Sequence, residues 1–324
     1  MKAAKDLLPG VPLIHSPFFQ DVLVESDWDA ETRRVAVDLN RDGFAVIDFP
    51  EPELEALAAD IVASVHADLA WDRWRSGELA ELPRATDAWA HNESVRRIAA
   101  NAKIVELLGR LYGRPAFPFQ TLNFAIGSQQ DIHVDLVHFA SSPENYMCGV
   151  WLALEDIAEG AGPLRYYPGS HRWPAVFNEH VGRRPTSDGD PYADLGAFEA
   201  VWERLAQVHG AQEVRFHPRK GQALIWAAGL HHGGAPHTDR TRTRFSQVTH
   251  YFFDGCAYFT PLYSNTYAGR IGFRHEITDV RTGQVRKMDV NGQPVPWSLI
   301  KATAPPPPNP PSLPRRILRR LTGR

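Results

Sequence analysis

Residues 129–139 read QQDIHVDLVHF, and this stretch places three potential metal ligands, His133, Asp135 and His138, within six residues. Residues i and i+2 of a β-strand point to the same side of the sheet. We therefore expect His133 and Asp135 to project together from a strand, with His138 on the opposite face if the strand continues. Two neighbouring ligands of one metal ion need that geometry. A polar strand edge that binds no metal is the alternative, because a lone His-x-Asp triplet often occurs by chance.

The overall composition indicates a soluble globular protein. The chain has 324 residues, of which 43% are hydrophobic and 23% are charged, and this balance is ordinary for globular proteins. The net charge of -3 argues against a nucleic-acid-binding protein, which would carry a basic excess. Two cysteines, Cys148 and Cys256, allow one disulfide but no disulfide framework, so we expect a reducing, cytoplasmic location.

Neither a leader nor a membrane span is expected from the sequence. The apolar run in residues 1–19 is interrupted by Pro9 and Pro12 and lacks a small-residue cleavage pattern, so it does not resemble a signal peptide. A membrane-spanning helix needs about 20 consecutive apolar residues, and no stretch of the chain approaches that length. The sequence therefore predicts no transmembrane segment.

The chain is predicted to be helical first and β-rich afterwards. A strand is predicted at 42–49 (DGFAVIDF), and the spacing of apolar residues predicts an amphipathic helix over 52–70 and a helical region over 93–112. From about 116 to 290, short β-prone runs separated by glycine and proline turns favour a β-sandwich or barrel, which one helix near 195–208 interrupts. We expect a single domain over 1–303.

The last residues differ in composition from the rest. APPPPNPPSLP, residues 304–314, is typical of a polyproline spacer, and the basic RRILRRLTGR follows it. We expect 304–324 to be disordered. The alternative is an amphipathic handle for an acidic partner or a membrane surface.

Five segments, taken together, resemble the phytanoyl-CoA dioxygenase family of non-haem iron, 2-oxoglutarate-dependent oxygenases. In chain order they are DGFAVID (42–48), HVD (133–135), WLALEDIAEGAGPLRYYPGSH (151–171), LHHGGAP (230–236) and RTRFSQVTHYF (242–252). The turn from LED to GPLRYYPGSH is the most specific of the five. The resemblance implies a mainly β (α+β) fold, with a double-stranded β-helix (jelly roll, cupin-like) core and helices packed outside it.

The resemblance also implies that His133, Asp135 and a histidine of the 231–232 pair hold iron(II). Two imidazoles and one carboxylate on one face leave positions for 2-oxoglutarate and O2. The family's distal ligand immediately precedes a glycine, which favours His232, before Gly233. His231 is the alternative, since only one of two neighbours on an extended chain can face the metal.

The remaining contacts implied by the resemblance concern the cosubstrate. A guanidinium group offers a bidentate match to the distal carboxylate of 2-oxoglutarate. Three arginines compete for this role, Arg240, Arg242 and Arg244. Alternation does not choose between Arg242 and Arg244, which we expect on one strand face, but the family's spacing to a later aromatic favours Arg244. We predict that Ser246 assists Arg244, and that Trp151 and Gln120 contact the cosubstrate. For Trp151 and Gln120, plain core packing is an equal alternative.

The predicted activity is dioxygenation of an unactivated C–H bond of a small-molecule metabolite, with release of succinate and CO2. A related halogenase would replace the carboxylate ligand with a small residue, so Asp135 favours hydroxylation or another oxidation. The alternative is a cupin-like binding protein without catalysis, which iron-dependent formation of succinate would distinguish. Loops 70–92 and 173–195 are candidate substrate contacts, and the arginines of 70–92 suit an anionic or ring-bearing molecule or simply a solvated surface.

Overall fold

The computed structural model describes residues 2–183, 195–296 and 298–300. Its helices lie mostly in the N-terminal third. They are α1 Ala4–Leu7, α2 Phe19–Glu25, α3 Ala30–Asp42, α4 Leu54–Val65, α5 Trp71–Arg75, α6 Glu93–Ala99, α7 Ala102–Tyr112 and α8 Gly196–Val208.

Polar caps and glycines set the bounds of the longer helices. At the start of α3, the Asp29 carboxylate accepts a hydrogen bond from the Thr32 backbone N–H at 2.8 Å, as N-cap residues do. The same helix ends at Gly43, with a φ of 81° that favours glycine. Asn101 caps α7, and Gly113, with a φ of 77°, ends it.

Antiparallel strands form the centre of the molecule. They are β1 Phe44–Asp48, β2 Ala85–Thr86, β3 Ala116–Phe124, β4 Ala140–Ser142, β5 Met147–Ala153, β6 Leu164–Tyr166, β7 Val214–Phe216, β8 Gln222–Ala227, β9 His232–Gly234, β10 Ser246–Phe253, β11 Ala257–Phe259, β12 Thr278–Asp279, β13 Gln284–Val285, β14 Asp289–Val290 and β15 Gln293–Pro294. A major sheet has the order β1-β8-β5-β10-β3-β2, and a minor sheet has the order β7-β6-β9.

The two sheets share one apolar interior, which identifies the fold as a jelly roll. Side chains of the major sheet, including Trp151, Leu224 and Val248, pack in one cluster with Tyr166 and Phe216 of the minor sheet. Trp151 lies opposite both Leu224 and Val248 in the strand register, so the three form a continuous row across the major sheet. The predicted double-stranded β-helix is therefore confirmed.

The other face of the major sheet is covered by helices. Alternate residues of the same strands, such as Ile47, Val150 and Ile225, pack in a second cluster with residues of α3, α4 and α7. Residues i and i+2 of a strand share a face, so each central strand contributes one set of side chains to the helices and one to the interior. This explains why β5 is buried along its whole length. The major sheet thus packs on the helices with its outer face and on the minor sheet with its inner face.

Most predicted elements are present, and the helices differ from the prediction in three respects. The region 93–112 forms two helices, α6 and α7, because Asn101 caps a new helix one residue after Ala100 ends the first. The helix predicted over 52–70 ends at Val65. The helices before residue 43 were not predicted.

Other expectations concern the chain ends and the cysteines. Residues 301–324 lie outside the described residues, so the limit of the domain at 303 and the nature of the tail stay predictions. In the described ranges, no helix has the length and apolar character needed to span a membrane. Cys148 and Cys256 are buried and free.

Candidate metal centre and its cavity

Three potential ligands converge where the two sheets meet. His133 and His232 form an isolated antiparallel bridge, in which each backbone N–H donates to the other's carbonyl oxygen at 2.9 Å. The ligand atoms of His133, Asp135 and His232 all lie within 4.8 Å of one another. His133 and Asp135 do not project from one strand as expected, however. His133 lies in the bridge alone, and Asp135 starts a 3-10 helix, Asp135–Val137, which turns the carboxylate back toward the imidazoles.

Both imidazoles are oriented for metal binding through Nε2. Nδ1 of His133 lies 2.8 Å from the Asp131 carbonyl oxygen, and Nδ1 of His232 lies 2.9 Å from that of Leu230. A carbonyl oxygen only accepts hydrogen bonds, so each Nδ1 carries a proton and Nε2 is the nitrogen that each ring can offer to a metal. Burial, with a smaller contribution from the neighbouring His232 ring, lowers the pKa of His133 to about 3, so the His133 ring is neutral near pH 7. A divalent metal requires a neutral imidazole.

Asp135 is held as a carboxylate by a hydrogen bond and by nearby imidazoles. Its side chain is buried, and Oδ2 accepts a hydrogen bond from Trp226 Nε1–H at 2.7 Å. Nε2 of His250 lies 3.9 Å from the same oxygen. Burial acts to raise the pKa of Asp135, but the neighbouring imidazoles and the Trp226 indole outweigh it and lower the pKa to about 2. The group therefore offers a negative oxygen ligand at physiological pH.

The Trp226 indole fits here because of a glycine on the next strand. A Cβ atom at Gly149 would lie 2.1 Å from Cζ2 of Trp226, so any larger residue at 149 would displace the indole. Gly149 and Trp226 are register partners in β5 and β8. The glycine in the middle of a buried strand is thus explained by close approach of a side chain.

The three residues line a cavity of about 470 Å³ between the sheets. This volume lies within the range of small-molecule sites. Besides the three candidate ligands, the cavity is lined by Arg84, Thr86, Gln120, Leu122, Phe124, Ser128, Gln130, Asp131, His138, Phe139, Trp151, Leu164, Tyr166, Leu195, Glu199, Trp202, Leu224, Trp226, Leu230, Gly233, Arg244, Val248, His250 and Arg274.

A buried cation lies at one end of this cavity. Arg244 is 1% exposed, and its guanidinium lies 5.3 Å from the Phe124 ring centroid and 5.6 Å from that of Trp151. Nη2 donates to the Ile126 carbonyl at 3.3 Å, whereas Nε and Nη1 have no hydrogen-bond partner among the described residues. Burial lowers the pKa of Arg244 to about 10, against the opposing charge of Glu155, so the group stays charged. Two buried donors without partners fit an anionic ligand.

Comparisons with known proteins identify the family. The family model for phytanoyl-CoA dioxygenase (PhyH) matches residues 39–244, more than half of the chain. The chain belongs to the phytanoyl-CoA dioxygenase family. Its activity class is accordingly iron(II)- and 2-oxoglutarate-dependent dioxygenation, and its cofactors are iron and 2-oxoglutarate. Among curated protein sequences there is no significant match.

Solved structures with the same fold agree with this membership. The epimerase SnoN in complex with Fe3+, alpha ketoglutarate and nogalamycin RO is 21% identical over 83% of this chain and 97% of its own, with a TM-score of 0.52. EctD from S. alaskensis with 2-oxoglutarate and 5-hydroxyectoine is 19% identical over 87% of this chain and 89% of its own, with a TM-score of 0.51. At this level of identity the similarity concerns the fold.

The arginines preceding β10 differ from the prediction in one respect. Because β10 begins at Ser246, Arg242 and Arg244 do not share a strand face as predicted. Arg242 is instead 55% exposed and pairs with Asp239 at 3.1 Å. Of these two arginines, Arg244 is the one that lines the cavity of this dioxygenase.

The three other residues predicted to assist or contact the cosubstrate, Trp151, Gln120 and Ser246, occupy different places. Trp151 lines the cavity, and its buried indole nitrogen has no hydrogen-bond partner among the described residues. Gln120 also lines it, and its Oε1 lies 2.9 Å from Nδ1 of His250. Ser246 is buried but is not among the lining residues, and its hydroxyl donates to the Arg244 carbonyl at 3.4 Å. Contacts of all three with the cosubstrate stay predictions.

Two histidines close in sequence to the candidate ligands, His231 and His138, lie in different surroundings. The His231 ring is buried and packs 4.7 Å from Trp173 and 6.3 Å from Trp202, measured between ring centroids. His138 ends the 3-10 helix that Asp135 begins and lines the cavity. The expectation of His138 on an opposite strand face held only if the strand continued, and no strand continues to His138.

Sequence reasoning did not find Trp226 and His250. Both lie on strands that were recognised, QALIWAA and FSQVTHYFF. Alternation along β8 places Trp226 on the face of Leu224, and alternation along β10 places His250 on the face of Val248. That signal becomes useful only once the inner face of each strand is known.

Proposed function

We propose that this chain holds iron(II) through His133, Asp135 and His232, binds the distal carboxylate of 2-oxoglutarate at Arg244, and oxidises an unactivated C–H bond of a small-molecule metabolite. Hydroxylation is the favoured outcome, with succinate and CO2 as coproducts. The observation that carries the proposal is the presence, in one cavity, of a His-Asp-His cluster and a buried guanidinium with two donors that have no partner among the described residues.

The chain's own residues provide the conditions for this chemistry. Iron(II) with 2-oxoglutarate supplies an oxidant from O2 that is strong enough for an unactivated C–H bond. Trp151, Leu224 and Val248 line the cavity with apolar surface, which keeps water from the reacting groups. Asp135 supplies the third ligand as a carboxylate, which favours oxygen insertion over halogenation.

Arg244 also helps to decide between an enzyme and a binding protein without catalysis. A metal ion that only braces the fold needs ligands but no second charge near it. Burying a guanidinium whose donors lack hydrogen-bond partners costs free energy, and a bound carboxylate of 2-oxoglutarate would recover that cost. The arrangement therefore favours an enzyme.

Substrate-stimulated release of succinate tests the proposed function. The protein is loaded with iron(II) and 2-oxoglutarate under anaerobic conditions, mixed with pools of metabolites, and exposed to O2. We expect particular pools to raise succinate release well above the uncoupled background. Tight iron binding without succinate release from any pool, or without added substrate, would instead favour the binding protein.

We predict that Trp226→Phe weakens iron binding by about 10- to 100-fold, the usual effect of removing a partner of a metal ligand. The ring is retained, but Asp135 loses the N–H that orients its carboxylate at 2.7 Å. Calorimetric titration with iron(II) under anaerobic conditions measures the effect without any need for turnover.

Trp89→Phe is the matched control, because it also removes an indole N–H bound to an aspartate. Trp89 Nε1 donates to Asp87 at 3.1 Å, and neither residue lines the cavity. Equal iron affinities for wild type and the Trp226 variant would show that the indole does not position the ligand.

A further inference from the structure

Two more arginines line the cavity, on the side of His138 and Phe139. Arg84 immediately precedes β2, and Arg274 follows β11. Both act on the groups next to the candidate ligands. Burial lowers the pKa of His250 to about 4, and the charges of Arg274 and Arg84 contribute to the lowering. Burial likewise lowers the pKa of His138, with contributions from the same two arginines. Both arginines therefore lie on the side of the cavity that His138 and His250 line.

Arg274 is held in place by its surroundings. Its Nη1 donates to Thr260 Oγ1 at 3.0 Å, and its guanidinium lies 4.7 Å from the centroid of the Phe139 ring. The backbone N–H of Arg274 donates to the Tyr258 carbonyl at 2.8 Å. A cation fixed by packing loses little entropy when it binds an anion, so its orientation favours binding.

The positive charge of Arg84 is not paired with an acidic side chain in the described ranges. The residue is exposed, and its side chain has no hydrogen bond or ion pair with any residue in the described ranges. The acidic residues of the lining other than Asp135 lie on other segments. Asp131 lies 3.7 Å from Arg165, and Glu199 lies on α8. Burial raises the pKa of Asp87, a carboxylate outside the lining, and the charge of Arg274 acts against that rise. With two arginines and this one carboxylate, the wall formed by Arg84, Arg274 and Phe139 has a net positive charge among the described residues.

This cationic wall is separate from the end occupied by Arg244. Arg244 contacts Phe124 and Trp151, and the charged group that acts on its pKa is Glu155. Arg274 instead lies on the Phe139 ring and donates a hydrogen bond to Thr260. The cavity thus has two cationic ends with the His-Asp-His cluster on its lining, and one molecule of 2-oxoglutarate accounts for one end.

We infer that the substrate carries an anionic group, a carboxylate or a phosphate, that binds between Arg274 and Arg84 while its apolar part extends toward the cluster. This inference rests on the proposed function, because it takes Arg244 as the cosubstrate's partner. Guanidinium groups pair with both kinds of oxyanion, often in bidentate geometry. The apolar lining next to Phe139 suits an attached hydrocarbon or ring.

Matched six-carbon probes test the inference directly. The full-length protein, loaded anaerobically with iron(II) and saturated with 2-oxoglutarate, is titrated with hexanoate, hexyl phosphate, hexanamide and hexylamine in a calorimeter. We expect the two anions to bind at least about tenfold more tightly than hexanamide, and hexylamine to bind most weakly. The preferred anion identifies the head group. If neither hexanoate nor hexyl phosphate binds more tightly than hexanamide, the inference is overturned.

Variants assign the binding to these two residues. Arg84→Ala and Arg274→Ala should each weaken binding of the preferred anion by about tenfold or more, since charged hydrogen bonds contribute roughly 1.5–3 kcal/mol. Arg274→Lys should recover part of the loss and controls for the packing of Arg274 on Phe139. Arg73→Ala, at an exposed position of α5 and paired with Glu78, should change nothing. Unchanged anion binding in both the Arg84 and Arg274 variants would contradict the assignment.

Failure of this inference can be told apart from failure of the proposed function. The charge-transfer absorption of the iron(II) and 2-oxoglutarate complex is recorded in each variant before the probes are added. If the absorption forms normally but the anions show no preference, the substrate site is wrong and the cosubstrate assignment stands. If wild type forms no such complex, the proposed function itself is wrong.

Discussion

Replacing Asp135 or His232 with alanine should reduce iron-dependent turnover to background, whereas His231→Ala should retain much of it. Each of the first two changes removes one of three ligand atoms that lie within 4.8 Å of one another. The His231 ring points elsewhere, into the packing between Trp173 and Trp202. Iron content after anaerobic reconstitution and gel filtration, together with succinate formation, measures both effects.

His231→Ala is the informative control, because the two histidines are sequence neighbours and both are largely buried. Removing a buried ring leaves a cavity, which costs about 2–5 kcal/mol of folding stability for large side chains. We therefore expect this variant to melt at a lower temperature while still binding iron. If His231→Ala loses iron and His232→Ala keeps it, the assignment of the pair is reversed.

Arg244→Ala should raise the apparent KM for 2-oxoglutarate by about a hundredfold or more. A charged hydrogen bond contributes roughly 1.5–3 kcal/mol, and breaking a buried ion pair costs about 3–5 kcal/mol. A factor of ten in affinity corresponds to about 1.4 kcal/mol. Iron binding should survive, because none of the candidate ligands is changed. Titration of 2-oxoglutarate into the iron-loaded variant, followed by its charge-transfer absorption, gives the affinity directly.

Arg242→Ala is the matched control for this prediction. Arg242 lies two residues away and is also an arginine, but it is exposed and pairs with Asp239. Its removal should change the affinity for 2-oxoglutarate little. Loss of cosubstrate binding in the Arg242 variant, with retention in the Arg244 variant, would assign the role to Arg242.

Local patterns predicted the strands well, because alternation and turn residues are encoded within a few positions. The four runs that predicted β3, β5, β8 and β10 are all present. The family motifs also singled out His133, Asp135 and His232, which the fold brings together. The pairing of His133 with Asp135 was expected from strand alternation, yet the structure achieves it by a bridge at His133 and a 3-10 turn at Asp135.

The contacts around the cluster could not be predicted in the same way. Trp226 reaches Asp135 across 91 positions in the chain, and it does so only because Gly149 leaves space for its indole. Such contacts depend on strand order, which local patterns do not encode. The cationic wall is a similar case, since Arg84 and Arg274 come from distant segments that meet only in the folded molecule.

Anaerobic titration of the purified protein, first with iron(II) and then with 2-oxoglutarate, tests the central claim most directly. We predict that iron binds, that 2-oxoglutarate then produces a charge-transfer absorption, and that Asp135→Ala abolishes the absorption while Arg242→Ala preserves it. Iron binding with no spectral response to 2-oxoglutarate, or the same response in the Asp135 variant, would contradict the account.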